Sequence, residues 1–227
     1  MEKQLKYKDV QKEMPIKKIL ENFKIKNSEL EELLGAINQS ANNKKRKFID
    51  YRILSALISE IERIKIYELK NDTLALSTRN VFELNMIYRY TCLSDDNLKE
   101  WIGNKAKDEI EILEGILKLS ENSNSDEERI IKERIDKINT TAQQQNLKVK
   151  KQLNTKSLAE KVGLVAEYNG LFKLYSKFIH PTSYLINSAP VDIESLQYKN
   201  IFLIQFQTYL YDLESRLRDF YISKHKS

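Results

Sequence analysis

The chain has 227 residues, 41% of them hydrophobic, enough to enclose a sizeable core, while 5 Gly and 3 Pro are too few for an all-β protein with its frequent turn signals. One cysteine, Cys92, cannot form an intramolecular disulfide, no signal-like leader opens the sequence, and no window nears the ~18 consecutive apolar residues of a spanning helix, so a cytoplasmic protein without membrane contact is expected. The net charge of +5, from 38 Lys and Arg against 33 Asp and Glu, is too mild for a dedicated duplex binder, and its densest block, Lys44–Lys47, reads more readily as a solvated helix entrance than as a phosphate patch.

Helical periodicity then recurs along the chain. Pro15 opens a short amphipathic helix carrying Ile16, Ile19, Leu20 and Phe23, and a Ser28/Glu31 capping box starts a second one over Leu30, Leu33, Leu34 and Ile37. Residues 1–27 therefore read as an N-terminal extension and 28–227 as a single helical domain. Between Lys45 and Lys70 nothing breaks a long helix bearing Phe48, Tyr51, Leu54, Ile58 and Ile61. The helix opened by Asp72 is apolar all round its axis, with Leu74, Val81, Phe82, Met86 and Tyr90 among its residues, and is expected to be central. Ser94 starts another, through Leu98, Trp101, Ile110 and Leu117, that stops at the polar run 120–127. A Ser125/Glu128 box precedes Ile130, Ile131, Ile135 and Ile138, and 139–155 reads as a polar loop. A Ser157/Glu160 box opens a helix over Leu158, Val162 and Val165, another runs through Leu171, Leu174, Phe178 and Ile179 to His180, and the last spans Asp192 to about Ile222. The fold class is all-α, a bundle of about seven to eight helices.

Most catalytic constellations are missing: there is no glycine-rich phosphate loop, paired-cysteine knuckle or nucleophile elbow. His180 and His225 are the only imidazoles, so neither a metal nor another cofactor is expected. Two features remain. Arg79 and Glu83 share one face of the central helix at i, i+4 among apolar neighbours, where an ion pair is either a structural clasp or a working site. His180 precedes Pro181, which disfavours helical geometry in the residue before it, so the imidazole sits where its helix stops, with Tyr175 and Ser176 about one turn earlier. It reads either as a capping group or as an acid–base.

The stretches STRNVFELNMIYRY (77–90), SLAEKVGL (157–164) and YSKFIHP (175–181), in that order, resemble the bacterial family called domain of unknown function 5677 over roughly Leu54 to Pro181. The resemblance implies an all-helical domain in which Arg79, Glu83, Ser176 and His180 belong together, and it carries no reaction. A more distant likeness is to the HEPN superfamily of helical domains, which includes metal-independent ribonucleases of toxin–antitoxin and antiviral defence systems. Their arginine position before the histidine corresponds to the window Lys173–Tyr175, where lysine replaces a guanidinium that Arg79 would supply if the two helices meet. This second likeness implies a helical effector acting on RNA as a metal-independent endoribonuclease. His180, Arg79, Glu83 and Ser176 would be catalytic, and Lys173, Tyr175 and Lys177 would bind substrate. The alternative is a non-catalytic interaction or sensor module, a dimerising scaffold whose Arg79–Glu83–His180 network is structural. The expected partners are accordingly RNA, a second copy of the chain, or another protein.

Overall fold

A computed structural model describes residues 16–66, 69–119, 126–150 and 153–222. Pro15, Ser125 with its capping box, most of the polar run at 120–127, and His225 lie outside the described residues. The chain is all-α, with no strand among the described residues. We label the helices α1 (Ile16–Gln39), α2 (Lys44–Ile66), α3 (Asn71–Leu93), α4 (Asp95–Leu119), α5 (Asp126–Gln144), α6 (Thr155–Val162), α7 (Val165–Glu167), α8 (Lys173–Ile179), α9 (Ser183–Asn187), α10 (Pro190–Ile193) and α11 (Leu196–Tyr221), with a π-turn at Tyr168–Phe172 joining α7 to α8. They form two compact units, Met1–Tyr88 with Val162–Ser227, and Arg89–Lys161.

In the first unit, α1 is one unbroken helix where two were expected. Ser28 is exposed in mid-helix and caps nothing, because nothing interrupts the apolar face formed by Ile19, Phe23, Leu30, Leu33 and Ile37. Side-chain bonds brace the same stretch: Lys26 pairs with Glu29 and with Glu214 of α11, and Asn27 donates to Glu62 of α2 at 2.7 Å. The stripe of α2 is rotated from the expected one. Ile49, Ile53, Leu54, Leu57, Ile61 and Ile64 are buried, whereas Phe48 is exposed and Tyr51 and Ile58 are half-buried.

The basic block at the start of α2 is largely structural. Asn43 Oδ1 accepts from the amide of Lys45 at 2.9 Å and so caps the helix, while Lys47 Nζ donates to the carbonyls of Asn38 and Ser40 at the end of α1. Arg46 is buried, bonded to Asp50 at 2.6 Å, with its guanidinium 4.8 Å from the centre of the Tyr88 ring. Tyr221 Oη donates to the same Asp50 oxygen at 2.7 Å. Burial pushes the Asp50 carboxyl above its usual range, against the opposing pull of Arg46 and Tyr221.

Helix α3 is central to its unit, as its all-round apolar pattern predicts: Leu74, Ala75, Val81, Phe82 and Met86 are fully buried. Three of its side chains, Thr78, Asn85 and Tyr88, dock against α11. Thr78 Oγ1 donates to the Phe202 carbonyl, Asn85 Nδ2 to the Tyr209 carbonyl and the Asp212 carboxylate, and Tyr88 Oη to the Arg216 carbonyl. Each such bond contributes only ~1 kcal/mol net, but an unmatched partner would cost more, so together they fix how the two helices align. Helix α11 begins at Leu196 rather than Asp192, because Pro190–Ile193 forms a separate short helix.

In the second unit, Ser94 Oγ caps α4 by accepting from the Asn97 amide at 3.1 Å. Helix α5 continues through Gln144, across the start of the expected polar loop. It then closes in a Schellman turn, with Leu147 N donating to Ala142 O, Asn146 N donating to Gln143 O, and Asn146 at φ 51°. The threonines read as loop formers, Thr140 and Thr141, instead donate their hydroxyls to the carbonyls one turn back. Asn154, rather than Ser157, caps α6: its Oδ1 accepts from Ser157 N at 2.9 Å.

Gly103 on α4 lies directly against the backbone of Lys148. A Cβ there would stand 2.8 Å from the Lys148 carbonyl carbon and closer still to its oxygen, whereas one at Gly115 on the same helix would meet nothing within 4 Å. Gly103→Ala should therefore destabilise the protein by ~1–3 kcal/mol through overpacking, and Gly115→Ala should stabilise it by ~0.5–1 kcal/mol through helix propensity. Urea unfolding of the two variants checks the opposite signs.

Candidate functional site

Three segments of the first unit build the site. Helix α3 supplies Arg79 and Glu83 at i, i+4, and Arg79 Nε donates to Glu83 Oε1 at 3.0 Å. The π-turn supplies Phe172, whose ring centre lies 4.5 Å from the guanidinium carbon. Helix α8 supplies the third group at its end, where Pro181 stops it: His180 has φ −114° and ψ 151°, the extended geometry expected before proline. Arg79 Nη1 then meets His180 Nε2 at 3.1 Å, closing a Glu83–Arg79–His180 chain across 101 positions of sequence.

The chemistry of the guanidinium sets the direction of this hydrogen bond. Arginine has N–H donors and no acceptor, so His180 Nε2 must accept and the ring proton must sit on Nδ1. The chain is also accessible. Arg79 and Glu83 keep 22% and 32% of their side-chain surface, and His180 is exposed. Together they line a cleft of about 450 Å³ with Asp72, Asn80, Phe178 and Leu185. The remaining N–H groups of Arg79 have no hydrogen-bond or ion-pair partner among the described residues. The pair is therefore neither sunk in an apolar core nor free in solvent; it is held in a fixed direction at the wall of a cleft.

The other expected site residues divide. Ser176 does not join the chain: its Oγ donates to the Phe172 carbonyl at 3.0 Å, fastening the junction between the π-turn and α8. Tyr175 is fully buried, 5.8 Å from Phe202, and so cannot bind a ligand in the cleft. Burial first and neighbouring Tyr209 next push its phenol well above the usual range. Lys173 and Lys177 are exposed outside the cleft lining, one turn apart on α8, and neither has an ion-pair partner among the described residues. It is Arg79, from the neighbouring helix, that meets the histidine.

Phe172 is the contact of the candidate site missed in the sequence. Its ring stacks on Tyr168 at 5.0 Å and 23° and lies 6.4 Å from Phe82, so it is fixed before it supports the guanidinium. The Tyr168/Phe172 spacing of four residues was a visible signal, but the π-turn that places the pair is rare enough that periodicity does not reveal it. Such turns concentrate at functional sites.

The model of a family of unknown function, DUF5677, matches residues 71–190, more than half of the chain. The chain belongs to this family. The DUF5677 span holds Arg79, Glu83, Phe172 and His180, and every residue lining their cleft. It excludes α1, α2 and α11. No curated protein and no solved structure matches the chain. Among the described residues, no helix is long and apolar enough to cross a membrane, and no three His, Cys, Asp or Glu side chains are grouped to hold a metal ion.

Nitrogen NMR of the imidazole tests the arrangement directly. His180 should appear as the neutral Nδ1–H tautomer, and Arg79→Ala, which removes the donor, should bring up the Nε2–H form; an Nε2–H signal in the wild type would contradict the geometry.

Proposed function

We propose that the cleft of Arg79, Glu83 and His180 binds RNA and cleaves it without a metal. The observation that carries this reading is an accessible guanidinium, oriented by Glu83 and backed by Phe172, standing 3.1 Å from an imidazole nitrogen that holds a lone pair. Preorganised donors of this kind suit a phosphate whose charge grows in the transition state. In the resting state the lone pair of Nε2 is occupied by an Arg79 N–H. A phosphate oxygen entering the cleft competes for that same N–H, and the lone pair is released as the substrate binds.

The ribose 2′-oxygen then attacks phosphorus while His180 Nε2 takes its proton, and the bond to the 5′-oxygen breaks. The departing oxygen takes a proton back from the imidazolium, giving a 2′,3′-cyclic phosphate and a 5′-hydroxyl. DNA lacks the nucleophile. Exposed Lys173 and Lys177, on the helix that ends in His180, would attract the flanking phosphates. A bacterial defence or stress role of the kind implied by the distant HEPN likeness would fit this chemistry.

The carboxylates of Asp72 and Glu83 in the same cleft favour a second reading. They repel phosphate, and on that ground the network would serve as the interface polarity of a non-catalytic module that binds a protein or a second copy of the chain.

The two readings part on a mixed RNA pool with chelator present. RNA cleavage requires that wild type cut, that His180→Ala lose at least ~100-fold in rate with its melting temperature retained, and that Arg79→Lys, which keeps charge but loses the forked donors, be impaired. Intact RNA with wild type, or a His180→Ala variant that fails only because it unfolds, would leave the interaction module.

A further inference from the structure

A second cleft, of about 510 Å³, lies in the same unit and is lined by Tyr184, Ser188, Asp192, Ser195, Gln197 and Tyr198. It is a neighbour of the first. Helix α9 places Tyr184 in its wall and the next residue, Leu185, in the wall of the Arg79 cleft. Phe178, which lines the Arg79 cleft, stands edge-on to Tyr198 at 4.7 Å and tilted against Tyr184 at 5.9 Å. Helix α3 anchors both. Its first residue, buried Asn71, donates from Nδ2 to the carbonyls of Ile193 and Ser195, which hold the segment carrying the second cleft, and Arg79 follows on the same helix roughly 12 Å along the axis.

The second cleft presents a defined set of polar groups beside aromatic surface. The hydroxyls of Tyr184 and Tyr198 are bonded to each other at 2.7 Å. One of their two protons lies in that bond, and the other is left to donate. Tyr198 is fixed by Phe178 at its edge and by Phe202, stacked at 6.2 Å. The Asp192 backbone amide is bonded to the Ala189 carbonyl and the Asp192 charge acts on Tyr184, but the carboxylate itself has no hydrogen-bond or ion-pair partner among the described residues and so offers two acceptor oxygens at the cleft.

We infer that this second cleft receives a guanine base of the RNA bound at the Arg79–His180 cleft, an assignment that rests on the RNA reading proposed above. The order of groups decides the base. A carboxylate accepts best from two N–H donors side by side, and among the four RNA bases only guanine presents them, at N1 and N2 of its Watson–Crick edge. Adenine and cytosine show one amino group beside an acceptor nitrogen. Uracil shows one N–H between two carbonyls, which Asp192 would repel. The tyrosine hydroxyl proton complements the guanine carbonyl O6 at the other end of the same edge, while the aromatic rings offer surface for stacking. Asp192, Ser195, Gln197 and Tyr198 lie beyond residue 190, outside the span matched by the family, so base choice belongs to this chain's own C-terminal elements.

Binding is read separately from cleavage by titrating the full chain with GMP, AMP, CMP and UMP while following the tyrosine ring signals by NMR. GMP should bind about tenfold tighter than the other three, and Asp192→Asn, which replaces one acceptor with a donor, should erase that margin with helicity unchanged. Equal affinity for the four, no binding at all, or a margin that survives Asp192→Asn would overturn the inference. On RNA, cleavage sites should cluster at a fixed offset from guanine, and the clustering should be lost in Asp192→Asn. Selective GMP binding by a protein that never cuts RNA would uphold the base site and sink only the ribonuclease reading.

Discussion

One guanidinium holds the candidate site together. Arg79 reaches Glu83 on its own helix, lies over Phe172 from the π-turn and contacts His180 at the end of α8, so groups from three segments meet at a single planar cation. A lysine could not do this, because a point charge on a flexible stem has no fork to direct at two partners and no flat face to lay on a ring. Partial exposure also sets its energetics. Fully buried, the Arg79–Glu83 pair would cost desolvation that mutual attraction does not reliably recover; at a cleft wall that cost is smaller, and the remaining N–H groups stay available.

The buried pair of Arg46 and Asp50 shows the contrasting case. There both partners are sunk between helices, Tyr221 supplies an added hydrogen bond, and aromatic rings cover the guanidinium. That network ties the end of α11 to α2 from a buried position. Arg46–Asp50 and Arg79–Glu83 share the same i, i+4 spacing, and burial, rather than spacing, separates the structural pair from the candidate working one.

The all-α class was legible because apolar residues recur at helical intervals with few glycines or prolines between them. The centrality of α3 followed from apolar residues on every side of its axis, and the end of α8 from the simple sterics of Pro181. Local polar signals misled instead. Ser28 and Glu31 form a capping box in sequence, yet the apolar face of α1 runs through them and tertiary packing overrides the stop signal. Thr140 and Thr141 look like loop residues, but in a helix their hydroxyls bond back to the preceding turn. Within the site, Arg79, Glu83 and His180 could be singled out as rare polar residues in apolar stretches. Tyr175 could not be told from a cleft residue, because a shift of one position decides which side of α8 enters the core. Phe172 was hidden by a change of helical pitch that leaves no periodic trace.

Asn71 has a wider consequence than its two hydrogen bonds. It starts the very helix that carries Arg79, and it grips the carbonyls just ahead of α11. The hollows on either side of α9 thus share one anchoring residue, so the rims of both are tied to the start of a single helix.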